Sequence, residues 1–179
     1  MWTRHGDLWS DAGPDWFSGI ATSHAVGGAA ADFDADGDPD VYLTRYGQPD
    51  RLLRNDGGHF TDVTEAQGLP ASPRRSASAA WADFDGDGWL DLFVGGYGPV
   101  PADAWATELE PGDSSLLLQN KQGTFGDASD LIPQSVHDAY TFQGAWLDVN
   151  TDGFPELFVI QDFGWDRPSV VLWNDGGTL

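Results

Sequence analysis

Three copies of an acidic nonapeptide constrain this chain more than any other feature. They run Asp32-Phe33-Asp34-Ala35-Asp36-Gly37-Asp38-Pro39-Asp40, Asp83-Phe84-Asp85-Gly86-Asp87-Gly88-Trp89-Leu90-Asp91 and Asp148-Val149-Asn150-Thr151-Asp152-Gly153-Phe154-Pro155-Glu156. Each sets oxygen-bearing side chains at positions 1, 3, 5 and 9 around a glycine at position 6. That alternation suits Ca2+, a hard cation that gathers about six to eight oxygens and needs a sharp turn within the loop. Glycine supplies the turn because it enters positive φ without a Cβ clash. Asp38, Trp89 and Phe154 at position 7 differ in type, as expected where only a backbone carbonyl faces the ion. The candidate ligands are therefore Asp32, Asp34, Asp36, Asp38 and Asp40; Asp83, Asp85, Asp87, Trp89 and Asp91; and Asp148, Asn150, Asp152, Phe154 and Glu156, one set for each of three Ca2+ sites.

An EF-hand does not fit. It requires a bidentate Glu at position 12 and flanking helices, whereas position 12 here is Leu43, Val94 or Val159. Each loop runs instead into a short apolar segment rich in strand formers (Asp40–Thr44, Asp91–Gly95, Glu156–Ile160). Pro39 and Pro155 precede two of these segments, where proline is tolerated at a strand start. The loops therefore join strands. Solvated Asp/Gly turns would be the ordinary reading of one such loop, but three in the same phase, each followed by the same kind of strand, point to metal. Two carboxylates about 4 Å apart repel by roughly 4 kcal/mol at an effective dielectric of about 20, and an ordinary turn has no reason to gather four.

The loops organise a longer unit. A strand of small or aromatic residues precedes each one (Val26–Ala31, Ser78–Ala82, Phe142–Leu147). The apolar strand after it ends in Tyr46-Gly47, Tyr97-Gly98 or Phe163-Gly164. A third strand follows and ends in Asn (Leu52–Asn55, Leu116–Asn120, Val170–Asn174), and a fourth begins at Phe60 or Phe125. Four short strands per unit, with loops 51 and 65 residues apart, is the pattern of all-β propeller blades or a similar array. One repeat domain is expected over 1–179: an N-terminal strand segment at 1–21, then repeats at about 22–72, 73–135 and 136–179.

Composition limits the function. Twenty-nine acidic residues against eight basic ones give a net charge of −21, which excludes nucleic acid as a natural partner and favours cations or basic surfaces. The eleven carboxylates at positions 1, 3, 5 and 9 of the loops account for about half of that excess. No cysteine is present, so disulfides do not hold the fold and the redox compartment stays open. No apolar stretch approaches a membrane span, and residues 1–7 contain no signal-peptide core. Histidines 5, 24, 59 and 137 lack metal-ligand spacing, and no nucleophile elbow, phosphate loop or Cys/His pair occurs. No catalytic residue is assigned, and the expectation is that the chain is not an enzyme. Asp103, Glu108 and Glu110 are acids outside the loops.

The segment Ala31–Leu43, followed by Arg51–Leu69, resembles the FG-GAP/VCBS repeats of integrin α-subunit propellers. Within that group it is most similar to the cartilage-acidic-protein and ASPIC/UnbV-type secreted proteins, and the likeness covers about residues 22–179. The resemblance implies a β-propeller with one Ca2+ per blade, in the loop between its first two strands. It does not imply an activity, because the fold hosts adhesion proteins, lectins and a few lyases and dehydratases. Such propellers usually have about seven blades, within the general range of about four to eight, whereas three units are legible here, the last without its fourth strand. Gly6–Gly13 resembles a fourth strand and could complete that blade within or between chains; a fragment or a partner-capped arc is equally compatible.

Loops on a rigid scaffold commonly carry binding. The aromatic turns opposite the acidic loops, with the insertion Tyr97–Gly112, make Tyr46, Tyr97, Trp105, Phe163 and Trp165 the candidate partner surface. Tyr46, Tyr97 and Phe163 could equally pack between blades. Trp81 and Trp146, two residues before their loops, are expected in the core, and Trp9 and Trp173 are expected to pack on outer strands. The expected function is a calcium-stabilised, extracellular, periplasmic or cell-surface interaction or adhesion module. The alternatives are a structural subunit that self-associates through blade edges, and a carbohydrate-binding or polysaccharide-lyase propeller.

Overall fold

The computed structural model describes residues 2–5, 8–11, 16–99, 110–162 and 167–179. Among these the chain is almost wholly β, with thirteen strands, a 3-10 turn at Ser129–Leu131 and one short helix, α1 (Gln134–His137). Strands β3 (Ala25–Ala31), β4 (Asp40–Gln48), β5 (Arg51–Asn55) and β6 (Phe60–Asp62) form an antiparallel meander, blade 1. Blade 2 repeats it with β7 (Arg74–Ala82), β8 (Asp91–Gly96), β9 (Leu116–Lys121) and β10 (Thr124–Asp127). Blade 3 has three strands, β11 (Thr141–Leu147), β12 (Glu156–Gln161) and β13 (Val170–Leu172). The fold is a partial β-propeller in which every acidic loop joins the first two strands of its blade. Blades 1 and 2 also share a short ladder, Tyr46 opposite Arg75 and Gln48 opposite Arg74, which joins them into one sheet.

The expected fourth-strand stand-in near the N-terminus is placed differently. β2 (Leu8–Asp11) pairs with β1 (Trp2–His5), and among the described residues it does not reach β13. Strands only two residues apart close at far lower entropic cost than strands from opposite ends of the chain.

The cores lie between blades rather than within them. Side chains alternate across a strand, so each middle blade must be apolar on both faces. Leu92, Phe93 and Val94 of β8 are accordingly all 0% exposed. Leu92, Val94, Leu118 and Phe125 face blade 1, where they meet Phe33, Tyr42, Leu52, Val63 and Leu69. Phe93 and Leu117 face blade 3 and pack with Phe84, Val136, Leu157 and Val159. Gly144 is required at this second seam, because a Cβ there would overlap the Phe93 ring.

The outermost faces differ. On blade 1, Phe17 stacks on Phe60 at 4.7 Å with the rings 3° apart, and Trp16 lies 6.4 Å away. Phe60 holds the place that Phe125 holds in blade 2, so the N-terminal segment covers part of this face. On blade 3, Val149, Ile160, Val171 and Trp173 are exposed. Trp173, at 62% exposure, does not pack as its strand position led us to expect, because it points away from blade 2 where the described residues offer no neighbour. The side chain of Trp9 lies outside the described residues. No described helix is long and apolar enough to cross a membrane.

Candidate metal loops and the opposite face

The three loops share one hydrogen-bonded frame. In each, the position-1 carboxylate accepts from the backbone N–H groups of positions 5 and 6: Asp32 from Asp36 and Gly37 at 3.1 and 3.0 Å, Asp83 from Asp87 and Gly88 at 3.1 and 2.9 Å, Asp148 from Asp152 and Gly153 at 3.2 and 3.0 Å. The position-5 carboxylate accepts from the N–H of position 7, at 2.9, 2.9 and 2.8 Å. The position-9 carboxylate accepts from the N–H of position 2: Phe33 to Asp40, Phe84 to Asp91 and Val149 to Glu156. The position-6 glycines have φ of 97°, 92° and 95°, as the sequence requires. Position 4 is also left-handed, at Ala35 (59°), Gly86 (75°) and Thr151 (63°). Nothing in the composition of that position announces it.

This frame gathers positions 1, 3 and 9. One carboxylate oxygen from each of Asp32, Asp34 and Asp40 lies within 4.8 Å of the others, and the same holds for Asp83, Asp85 and Asp91. Oδ1 of Asp34 is buried without a hydrogen-bond partner. A buried, unpaired carboxylate oxygen is costly unless a cation meets it, so the donor set fits a hard divalent ion. The side chains of Asp36 and Asp87 at position 5, and of Asp38 at position 7, are not among these carboxylate groups. The third loop differs: Asn150 replaces the position-3 acid, and its amide nitrogen donates to Asp152 at 3.0 Å and Glu156 at 3.1 Å. Ligation there requires the amide to turn its oxygen inward.

Burial and neighbouring carboxylates disfavour ionisation within the clusters. Burial raises the Asp91 carboxyl from 3.8 to about 7, against the lowering effect of hydrogen bonds from Asn120 and Phe84, and Asp85 and Asp87 push it further up. Asp40 rises to about 6 for the same reasons, burial first. Asp34 is raised by burial and by Asp36.

Sequence reasoning missed how neighbouring blades brace these loops. In blades 1 and 2 the Asn at the end of the third strand donates its backbone N–H to the position-9 carboxylate of its own loop, Asn55 to Asp40 at 2.8 Å and Asn120 to Asp91 at 2.7 Å. In all three blades the side-chain amide of the corresponding Asn bonds the position-8 carbonyl of the same loop: Asn55 to Pro39, Asn120 to Leu90 and Asn174 to Pro155. In blades 2 and 3 the same amide also crosses to the preceding blade, Asn120 to the Phe33 carbonyl at 2.8 Å and Asn174 to the Phe84 carbonyl at 2.7 Å. The indoles of Trp81 and Trp146 cross similarly, to the carbonyls of Ala29 and Ala80. Both tryptophans sit at core seams, as expected. The signal was present in the sequence: Asn recurs at one phase, followed three residues later by the glycine whose N–H its Oδ1 accepts.

On the opposite face, each first strand carries a bulge that skips Val26, Ala77 or Phe142. Bulges re-aim side chains, and these three line one hollow of about 330 Å³ with Tyr46, Ser76 and Tyr97. Tyr46 and Tyr97 also bridge blades, through hydroxyl bonds to the Gly98 carbonyl at 3.2 Å and to Asp162 at 2.5 Å. They serve repeat packing and the hollow together. Trp105, Phe163 and Trp165 lie outside the described residues.

A family model described as an FG-GAP-like repeat matches residues 32–94, which contain two of the three loops. A curated relative, Cartilage acidic protein 1 of Xenopus tropicalis, is 32% identical over 163 residues, covering 76% of this chain. Residues 32–94 thus carry an FG-GAP-like repeat. The chain spans only 25% of that relative's length, so the likeness is to one part of a longer protein.

Proposed function

We propose that this FG-GAP-repeat chain is a calcium-stabilised interaction module that works outside the cytoplasm and has no catalytic activity of its own. The observation that carries the reading is the loop frame: position-1 carboxylates pinned by backbone donors, two three-carboxylate groups, and Asp34 Oδ1 buried without a partner. Ca2+ would neutralise the gathered carboxylates and meet the unpaired Asp34 oxygen, and its role is structural. Extracellular calcium modules have dissociation constants of about 0.1–1 mM, which suits compartments where calcium is millimolar. The name of the Xenopus relative, which points to cartilage, agrees with that setting. A partner would engage the hollow lined by Val26, Tyr46, Tyr97 and Phe142. Val26 and Phe142 are 55% and 60% exposed there, and exposed apolar side chains gathered at one hollow mark binding sites more often than scattered ones do.

Thermal melting in millimolar calcium and after chelation tests the calcium reading. At about 1–2 mM calcium, a site of about 0.1 mM contributes about 1.5 kcal/mol by mass action, so chelation should lower the melting temperature by several degrees. A melt indifferent to calcium refutes the reading. A second reading, a structural subunit of a larger assembly, is favoured by the exposed apolar outer face of blade 3. Light scattering in calcium distinguishes them: a discrete oligomer supports self-assembly, and a monomer opposes it.

A further inference from the structure

We infer that the calcium loops of adjacent blades are energetically coupled, and that Asn120 and Asn174 are the positioning residues that carry the coupling. The inference rests on the calcium occupancy proposed above. Asn120 touches two loops at once. Its amide nitrogen bonds the Phe33 carbonyl, at position 2 between the loop-1 ligands Asp32 and Asp34, and the Leu90 carbonyl, at position 8 beside the loop-2 ligand Asp91. Its backbone N–H holds Asp91 itself. Phe33 in turn gives its own N–H to Asp40, so the residue whose carbonyl accepts from Asn120 also anchors position 9 of loop 1 through the adjacent peptide. Asn174 repeats the bridge between loops 2 and 3 through the carbonyls of Phe84 and Pro155.

The turns after these asparagines close the contact. Gly123 lies against Asp34 and Gly177 against Asp85, so each Asn-to-Gly turn rests on the position-3 ligand of the preceding blade. Phe33 and Phe84, at 0% and 1% exposure, anchor the same peptides in the seams. A cation that draws positions 1, 3 and 9 together fixes the intervening peptide. That peptide fixes the asparagine amide, and the amide fixes position 8 of the next loop. Ordering supplied by the first ion need not be supplied again by the second, which is positive cooperativity without a large change of shape. Asn55 provides a built-in contrast: among the described residues its amide nitrogen reaches only Pro39 of its own loop.

The test follows loop 1 by the amide resonances of Asp36, Gly37 and Asp38 during a calcium titration of the whole chain in about 0.5 M KCl, where the Debye length is about 4 Å. Loop 2 is disabled by Asp85→Ala, which keeps the Cβ against Gly177. The expected result is a loop-1 midpoint raised about fivefold or more in D85A, the lower range of ordinary allosteric coupling. In an N120A background, adding D85A should move the loop-1 midpoint by less than twofold. Residual electrostatics are common to both comparisons and cancel. Asn55→Ala should shift the loop-1 midpoint yet leave the D85A effect intact, which a merely stabilising role for Asn120 would not reproduce.

An unchanged loop-1 midpoint in D85A overturns the inference, whether or not N120A folds. A D85A effect that survives undiminished in N120A overturns the assignment to Asn120. If no loop titrates with calcium, the proposed function fails as well. Calcium binding with a coupling factor of one removes only this inference.

Discussion

Replacing Asp91 by Asn should stabilise the metal-free protein at pH 8 and weaken its response to calcium. Asp91 is 0% exposed and accepts from Phe84 and Asn120, yet burial with Asp85 and Asp87 nearby raises its carboxyl from 3.8 to about 7. Because the folded value lies above the unfolded one, the native state binds the proton more tightly. The stability this gives is complete below about pH 4 and is lost as pH rises through 7. A shift of about three units at about 1.36 kcal/mol per unit makes the full loss about 4 kcal/mol. Asn carries no charge but has only one oxygen for two backbone donors, which costs about 1–2 kcal/mol. The net gain for D91N at pH 8 is therefore about 2 kcal/mol, or about 4–8 °C for a chain of this size. Dialysed, calcium-free protein melted at pH 5, 6.5 and 8 gives the measurement. The D91N advantage should shrink toward pH 5, where wild-type Asp91 is protonated. In saturating calcium at pH 8 the order should reverse, because the wild-type carboxylate then meets the ion. Calcium-free D91N less stable than wild type at pH 8 would refute the argument that burial and neighbouring carboxylates disfavour ionisation in this cluster.

Three further outcomes follow from the same geometry. Asn150→Asp should tighten the third loop for calcium by several-fold in a calorimetric titration, since it removes the need to turn the amide inward and adds a charge. Phe84→Ala should cost about 3–5 kcal/mol in denaturant unfolding, because Phe84 is 1% exposed and its ring faces Trp146 at 6.1 Å. Replacing Val26 and Phe142 together by Ser should leave the melting temperature within about 1–2 °C, since both are exposed, yet abolish partner binding if the bulge-lined hollow is the contact; undiminished binding would move the partner site elsewhere.

What the sequence disclosed and what it hid divide along one physical line. Local pattern was enough for the loops and strands. Gly37, Gly88 and Gly153 marked the left-handed turn, and the apolar runs after each loop marked second strands, because both depend on residues within one hairpin. The left-handed position 4 escaped notice, since Ala35, Gly86 and Thr151 share no chemistry. Most contacts between blades escaped as well, apart from the core placement of Trp81 and Trp146 and the inter-blade reading of Tyr46 and Tyr97. Phe17 reads as one more N-terminal aromatic until Phe60 is seen beneath it, and the exposure of Trp173 follows from what lies beside blade 3, which strand periodicity does not reveal.

Asn120 shows why this limit matters for function. Its recurrence with Asn55 and Asn174, each three residues before a glycine, reads from sequence as an Asx turn and nothing more. The turn is real, with the Gly123 N–H on its Oδ1 at 2.8 Å. The other end of the same amide crosses to a loop 87 residues away. A side chain that closes its own turn with its oxygen leaves its nitrogen free to read the neighbouring blade, so one residue type satisfies a local and a long-range requirement. Selection on either requirement would preserve the same asparagine. Only the variant pair N55A and N120A, alike in the turn and different across the seam, separates the two roles.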